Sequence, residues 1–288
     1  MPHFTSRFVR SWRLIQASLE VLRSDNALLI LPALSGLATT VLTGGFVALA
    51  MSDGTFVAMH QSRSVNSFGR FYVWLFCWYT VQYFVVIFFN TALVGAAIGL
   101  LDGERPTVGA ALKLALSRIW TILGYAIISA TVGVLLRAVA ERLGIFGRII
   151  EGALGLAWTA ATFLVIPILA AEGVGPLQAI ERSTELLRKT WGENLIGSAG
   201  ISLVMSMMSG GLGVLGIGGS VLLFQHGWAV LGAALLSASV TAVLLVILVA
   251  AALSEIYAAA VYYYAALGTP PVDFDSDLIR GAFTRKEA

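Results

Sequence analysis

The sequence predicts an all-α membrane protein that crosses the bilayer six times. Of its 288 residues, 58% are hydrophobic and only 12% are charged, and the mean hydropathy is +0.87. The charged share is about half of that in an ordinary soluble domain, so a surface facing only water is excluded. Six apolar runs approach or exceed the roughly 20 residues that a helix needs to cross a bilayer.

The six predicted spans are joined by short polar or glycine-rich connections. They are Leu28–Met51, Phe71–Leu101, Ile119–Val139, Gly152–Ala171, Leu195–Gly213 and Ala229–Ala252, and the last continues as helix to about Leu267. The far end of the fifth span is glycine-rich, and glycine disfavours helix. The chain therefore divides into a cytoplasmic amphipathic N-terminal helix (1–27), a six-span membrane domain (28–268) and a cytoplasmic tail (269–288).

The distribution of basic residues predicts the orientation. Thirteen of the eighteen Lys and Arg side chains lie before span one, after the even-numbered spans or in the tail. Short loops that carry Lys and Arg are retained on the cytoplasmic side of the membrane. Both termini are therefore predicted to be cytoplasmic.

A Gly-x-x-Pro spacing recurs after spans two, four and six, at Gly103–Pro106, Gly173–Pro176 and Gly268–Pro271. Glycine ends a helix in a left-handed conformation, and proline is accepted in the first turn of the next helix. Amphipathic segments follow the first two turns, and the N-terminal segment has the same pattern. The spacing predicts three repeated units, each a cytoplasmic amphipathic helix followed by a transmembrane hairpin. The alternative is that any helical membrane protein needs glycine and proline at its turns.

The segment after Pro176 shows the amphipathic pattern most clearly. Such a helix is typical of the membrane interface, with its basic side towards the lipid headgroups, so membrane lipids are predicted partners. The predicted apolar face holds Leu177, Ile180, Thr184, Leu187 and Trp191, and the polar face holds Gln178, Glu181, Arg182, Glu185, Arg188 and Lys189.

Short motifs mark both ends of the chain. They are Ser11-Trp12, a Leu-Arg-x-Asp string ending at Asp25, Pro32 inside span one, and Phe274-Asp275 followed by Ala282-Phe283. With them the chain resembles a family of uncharacterised prokaryotic integral membrane proteins, a domain of unknown function. The resemblance implies this architecture in the cytoplasmic (inner) membrane of a prokaryote, and no reaction. More remotely, the helix-plus-hairpin plan is similar to the membrane domain attached to some glycerophosphodiester phosphodiesterases. No catalytic domain accompanies it here, so their hydrolase activity is not carried over.

The sequence predicts neither an enzyme nor a cofactor. His3, His60 and His226 lie in separate segments, and the single Cys77 has no partner for a metal-binding pair. There is no Gly-x-Ser-x-Gly nucleophile motif, and no acidic pair stands at helical spacing inside a span. The net charge of +2 gives no reason to expect nucleic acid as a partner.

Two glycine patterns stand within or beside predicted spans. The run from Gly211 to Gly216 matches G-x-G-x-x-G, but it follows a membrane helix and not a strand, which excludes a dinucleotide site. Gly213 and Gly216 are predicted to be either a close-packed helix end or a hinge in a broken segment. Gly95 and Gly99 form a GxxxG pair, which lets helices approach closely, within the chain or between two copies.

Three polar residues are predicted at membrane depth. Glu255 is either a proton or cation relay, or a carboxylate near the cytoplasmic interface that pairs with a basic residue. Gln82 and Asn90 are predicted to hydrogen-bond across helices, with a polar cavity as the alternative. Arg137, at the outer end of span three, is predicted to extend towards the headgroups.

The predicted function is that of a non-catalytic membrane protein that organises lipids or partner proteins at the cytoplasmic face, with a homo-oligomer as one form of partnership. The competing hypothesis is a transporter or channel for a small or amphiphilic solute. Transporters carry several polar groups near mid-span, often at broken helices.

Overall fold

The computed structural model describes residues 27–52, 65–189 and 194–267. These residues are almost wholly helical and contain no strand. In chain order the helices are α1 Ala27–Ser52, α2 Val65–Leu101, α3 Val108–Ser117, α4 Ile119–Ala161, α5 Val165–Ala171, α6 Pro176–Lys189, α7 Asn194–Gln225 and α8 Ala229–Leu267. The predicted N-terminal helix (1–27) lies almost wholly outside the described residues, and the predicted tail (269–288) lies entirely outside them.

Six apolar stretches are long enough to cross a membrane, which confirms the six-span prediction. They are Leu28–Ser52, Phe71–Leu101, Ile119–Leu143, Phe146–Ala171, Val204–Gln225 and Ala229–Ala266. Many of their large apolar side chains are exposed, as lipid-facing side chains must be. The protein is therefore membrane-embedded.

The predicted end of the fifth span at Gly213 is wrong, because α7 continues to Gln225. In water each interior glycine costs a helix about 1 kcal/mol. In lipid an open peptide group has no water to bind, so the helical hydrogen bonds persist through the glycines. The chain turns instead at Gly227, whose φ of 79° is left-handed.

The third and fourth spans are longer than predicted and meet inside α4. A β-carbon added at Gly147 would lie 2.7 Å from the carbonyl oxygen of Val139. Residues eight apart in a straight helix are separated by about 12 Å. The chain therefore folds back between Ala140 and Gly147, and α4 has a first limb and a second limb.

At two of the three Gly-x-x-Pro positions, the structure confirms the predicted left-handed glycine. Gly103 and Gly173 have φ values of 81° and 63°. Pro176 begins α6 as predicted, but Pro106 does not begin α3. There the N-cap is Thr107, whose Oγ1 accepts a hydrogen bond from the amide of Ala110 at 3.2 Å. Gly268–Pro271 lies outside the described residues.

The described residues form two compact units, one of residues 33–189 and one of residues 27–32 with 194–267. In the first unit α2 packs on α3, α4 and α5, and α6 packs on α4 and α5. In the second unit α7 packs along α8.

The fourth span is interrupted, which the sequence did not predict. Helix α4 ends at Ala161, a turn covers residues 162–164, and α5 begins at Val165. Pro167 stands in the first turn of α5, where its missing N–H costs no helical hydrogen bond. The break leaves backbone amides that the protein has to satisfy inside an apolar span.

Candidate functional site

A cleft of about 360 Å³ opens where the two limbs of α4 meet α2. Its charged lining comes from both limbs, and we call it the charged cleft. The lining residues are Tyr79, Gly133, Arg137, Ala140, Glu141, Arg148 and Glu151.

Helical spacing places the four charged residues of the lining on one face of each limb. Arg137 and Glu141 are one turn apart on the first limb, and Arg148 and Glu151 are three residues apart on the second, so each pair shares a face. The reversal at Gly147 then turns the two faces towards one space. All four residues lie within about two helical turns of the span ends at Leu143 and Phe146.

Both carboxylate oxygens of Glu141 accept a hydrogen bond from the protein. The Nε of Arg137 donates to its Oε1 at 2.9 Å, and the hydroxyl of Tyr72 donates to its Oε2 at 2.8 Å. The side chains of Arg137 and Glu141 are 45% and 43% exposed. A pair this exposed adds at most about 1 kcal/mol to stability, so its main effect is to fix the position of Arg137. Sequence reasoning predicted that Arg137 extends to the headgroups, and it missed this partner.

The Tyr79 ring of α2 lines the cleft beside these charges. The rings of Tyr79 and Tyr83 are 6.0 Å apart. A β-carbon at Gly133 would stand 3.7 Å from the Tyr79 ring and 3.6 Å from the Tyr83 hydroxyl. Gly133 therefore lets α2 and α4 approach, so that the Tyr79 ring lines the cleft and Tyr83 packs behind it.

Arg148 and Glu151 make no ion pair or hydrogen bond within the described part of the chain. Arg148 is exposed and Glu151 is half-buried. One cation and one anion of the lining are thus open to a ligand. The sequence signal that could have found them is the paired spacing of charges on either side of one apolar hairpin.

Gln82 bonds across helices, as predicted. Its Nε2 donates to the Thr39 carbonyl at 3.3 Å and to Thr43 Oγ1 at 2.5 Å, and so ties α2 to α1. Asn90 lies half-buried about two turns further along α2. Neither residue lines the charged cleft.

Glu255 lies on α8, in the second compact unit. It is half-buried between the fully buried Leu253 and Ile256. It does not line the charged cleft. The relay and the ion-pair interpretations of Glu255 both stay predictions.

The four predicted packing glycines differ in their surroundings. The place of a β-carbon on Gly95 is taken by the side chain of Leu114 in α3, so this glycine packs within the chain. Gly99 is in ordinary contact range of Pro106. Gly216 abuts Ser239 of α8, whereas Gly213 has nothing within 4 Å of its missing β-carbon.

Helix α6 has three sides and not the two that were predicted. Ala179, Ser183 and Leu186 are buried and form the packing side. Leu177, predicted on the same face as Leu187, is 70% exposed, whereas Leu187 is buried. The prediction missed the packing side because two of these three residues, Ala179 and Ser183, are small or polar. The third side is charged and holds Gln178, Glu181, Arg182, Glu185 and Arg188.

Ser183 provides a hydrogen-bond acceptor for a backbone amide at the break in the fourth span. Its Oγ accepts a hydrogen bond from the amide of Leu164 at 3.2 Å, and both residues are fully buried. Beside it, Arg182 reaches Glu185 at 2.9 Å and Glu172 at 3.6 Å. The hydrogen bond with Glu185 and the charge of Glu172 raise the pKa of Arg182. These contacts hold α6 against α4 and α5.

In the described residues no group of three or more His, Cys, Asp and Glu side chains is placed to hold a metal ion. No curated protein matches the chain. A family of unknown function, DUF6159, matches residues 69–271, which is more than half of the chain. This agrees with the resemblance to an uncharacterised family. The chain is a member of the DUF6159 family of unknown function.

Proposed function

We propose that this protein is a non-catalytic membrane protein that organises lipids, or partner proteins, at the cytoplasmic face. The observation that carries the proposal is the three-sided helix α6. One side packs on the membrane domain, one side is charged, and between them lie the exposed Leu177 and the half-buried Ile180. A helix of this kind lies in the plane of the headgroups.

Neighbouring residues extend this surface. Gly124 of α4 lies against Pro176, because an added β-carbon would be 3.0 Å from Pro176 Cγ. Trp120, one turn before Gly124, is 81% exposed, and aromatic side chains favour the membrane interface. The same end of the membrane domain therefore presents both aromatic and charged groups.

The proposal also includes the orientation in the membrane and the repeated helix-plus-hairpin units. The excess of Lys and Arg at this end supports a cytoplasmic face and cytoplasmic termini in a prokaryotic inner membrane. The positive φ of Gly103 and Gly173 supports two of three helix-plus-hairpin units. The remote similarity to the membrane domain of glycerophosphodiester phosphodiesterases stays a prediction, and no hydrolase activity is proposed from it.

Electron paramagnetic resonance of spin-labelled lipids tests the proposal. The full chain is reconstituted in vesicles, and the restricted fraction of spin-labelled phosphatidylglycerol is compared with that of phosphatidylcholine. Each basic side chain near the surface contributes about 1 kcal/mol to anionic-lipid attraction. Arg188→Gln should therefore lower the preference for the anionic label several-fold, and Glu181→Gln, on the same side of α6, should raise it. Identical preferences in both variants and the wild type would contradict lipid organisation by α6.

The interrupted fourth span favours a second candidate, a transporter of a small or amphiphilic solute. Transporters place binding sites at discontinuous helices. A transporter would bring water to the break, so water would replace the Ser183 hydroxyl and its loss would cost little stability. The burial of Leu164, Val165 and Ser183 supports the organiser, in which the break stays dry.

A further inference from the structure

We propose that the charged cleft binds the headgroup of a zwitterionic phospholipid, one that carries a phosphate and an ammonium group. This site is separate from the surface of α6. Gly124 lies at α6, whereas Arg137 is thirteen residues further along the first limb, about 20 Å away. The cleft therefore lies towards the opposite boundary of the membrane and does not depend on the function proposed for α6.

The charge balance of the lining selects the class of ligand. Two arginines and two glutamates cancel, and Glu141 is already bound by Arg137 and Tyr72. The remaining open groups are the Arg148 guanidinium and the Glu151 carboxylate. A simple anion would be repelled by Glu151, and a simple cation would be repelled by Arg148. A ligand with one phosphate and one ammonium group satisfies both.

The geometry assigns a partner to each part of the headgroup. A guanidinium binds a phosphate through two parallel hydrogen bonds, and Arg148 is free to do so, with the fixed Arg137 beside it. The ammonium group would bind the Glu151 carboxylate. The Tyr79 ring is part of the same lining, and an aromatic face attracts a cation.

The surroundings of the cleft favour a lipid over a soluble compound. Apolar side chains on both sides of the hairpin are exposed, and Phe146 and Ile149 are 78% and 65% exposed. A volume of about 360 Å³ suits a headgroup, whereas acyl chains would lie along the exposed apolar limbs. The charged part and the apolar part of one amphiphile therefore have adjacent surfaces.

Native mass spectrometry of the full chain tests this site. The purified protein is titrated with dioleoyl-phosphatidylethanolamine and, separately, with dioleoyl-phosphatidylglycerol. We expect a preference for phosphatidylethanolamine and a loss of its affinity of about tenfold in Arg148→Gln and in Glu151→Gln, the size of one charge-assisted hydrogen-bonded contact. Arg148→Lys keeps the charge without the planar fork, so its loss should be smaller.

Arg142→Gln is the matched control, because Arg142 is exposed on the same hairpin and does not line the cleft. Its affinity should fall by much less than tenfold, because Arg142 acts on Tyr72 only through its charge and contributes no atom to the lining. Equal losses in Arg142→Gln and Arg148→Gln would overturn the proposal, since they would reflect general surface charge. An unchanged affinity in correctly folded Arg148→Gln and Glu151→Gln, judged by their melting temperatures, would also overturn it. Release of the lipid by equimolar soluble phosphoethanolamine would show that the ligand is not a membrane lipid.

Discussion

Two transmembrane hairpins of this protein are similarly apolar but are built from different contacts. The first, spans three and four, reverses inside α4 beside four charged side chains. The second, α7 and α8, reverses at Gly227, and residues 204–254 contain no Asp, Glu, Lys or Arg. The first hairpin is positioned by backbone contact and polar groups, and the second by small side chains.

The difference shows what hydropathy leaves out. An apolar average places both hairpins in the membrane, but it does not say what fixes one helix against the next. In lipid the apolar face gives no preference for one neighbour over another, so close packing and hydrogen bonds decide the pairing. Substitutions at the closest contacts of each hairpin therefore separate the two modes.

The largest effect is expected for Gly147→Ala at the reversal of α4. The new β-carbon would stand 2.7 Å from the Val139 carbonyl oxygen and 2.9 Å from the Ala140 Cα, and backbone atoms cannot rotate away. We expect a loss of about 1–3 kcal/mol or more, measured as a lower melting temperature in detergent. Gly152→Ala, on the same limb with nothing within 4 Å, is the control and should be neutral. Equal melting temperatures for the two variants would refute the tight reversal.

The second-largest effect is expected for Ser183→Ala. It removes the acceptor of the Leu164 amide, and a buried donor without a partner costs about 1–3 kcal/mol. Thr184→Ala is the matched control, because the Thr184 hydroxyl donates to the Glu181 carbonyl on an exposed surface. A cost for Ser183→Ala no larger than that for Thr184→Ala would mean that water reaches the break, and would favour the transporter.

Gly216→Ala should have the smallest effect. Its β-carbon would overlap Ser239 Cβ, but the closest atoms belong to one small side chain and not to the backbone, so the cost is smaller than at Gly147. We expect a net loss of up to about 2 kcal/mol in chemical unfolding, relieved by adding Ser239→Gly. Gly213→Ala, which meets nothing within 4 Å, should not destabilise. If both glycine variants behave alike, close packing does not hold this hairpin together.

The class of fold could be predicted from the sequence because composition and run length depend on the solvent alone. The six spans and the left-handed turns at Gly103 and Gly173 follow from such local rules. The end of the fifth span could not be predicted this way, since glycine propensities are measured in water and α7 lies in lipid.

The charged cleft could not be predicted because it depends on a fold-back. In the sequence, Arg148 and Glu151 look like ordinary charges of a loop. Only the reversal at Gly147 places them in one lining with Arg137. Ser183 was missed for a related reason. A serine on a helix has no pattern of its own, and its role comes from a break nineteen residues earlier in the chain.

The division into two compact units also bears on biosynthesis. Residues 33–189 form one uninterrupted stretch, so each of their contacts can form as soon as that stretch leaves the ribosome. The other unit joins residues 27–32 to residues 194–267, and it can close only after the last span has been made. A chain that ends after α6 would therefore contain every residue of the charged cleft, whereas the beginning of its first span would lack the helices of its own unit.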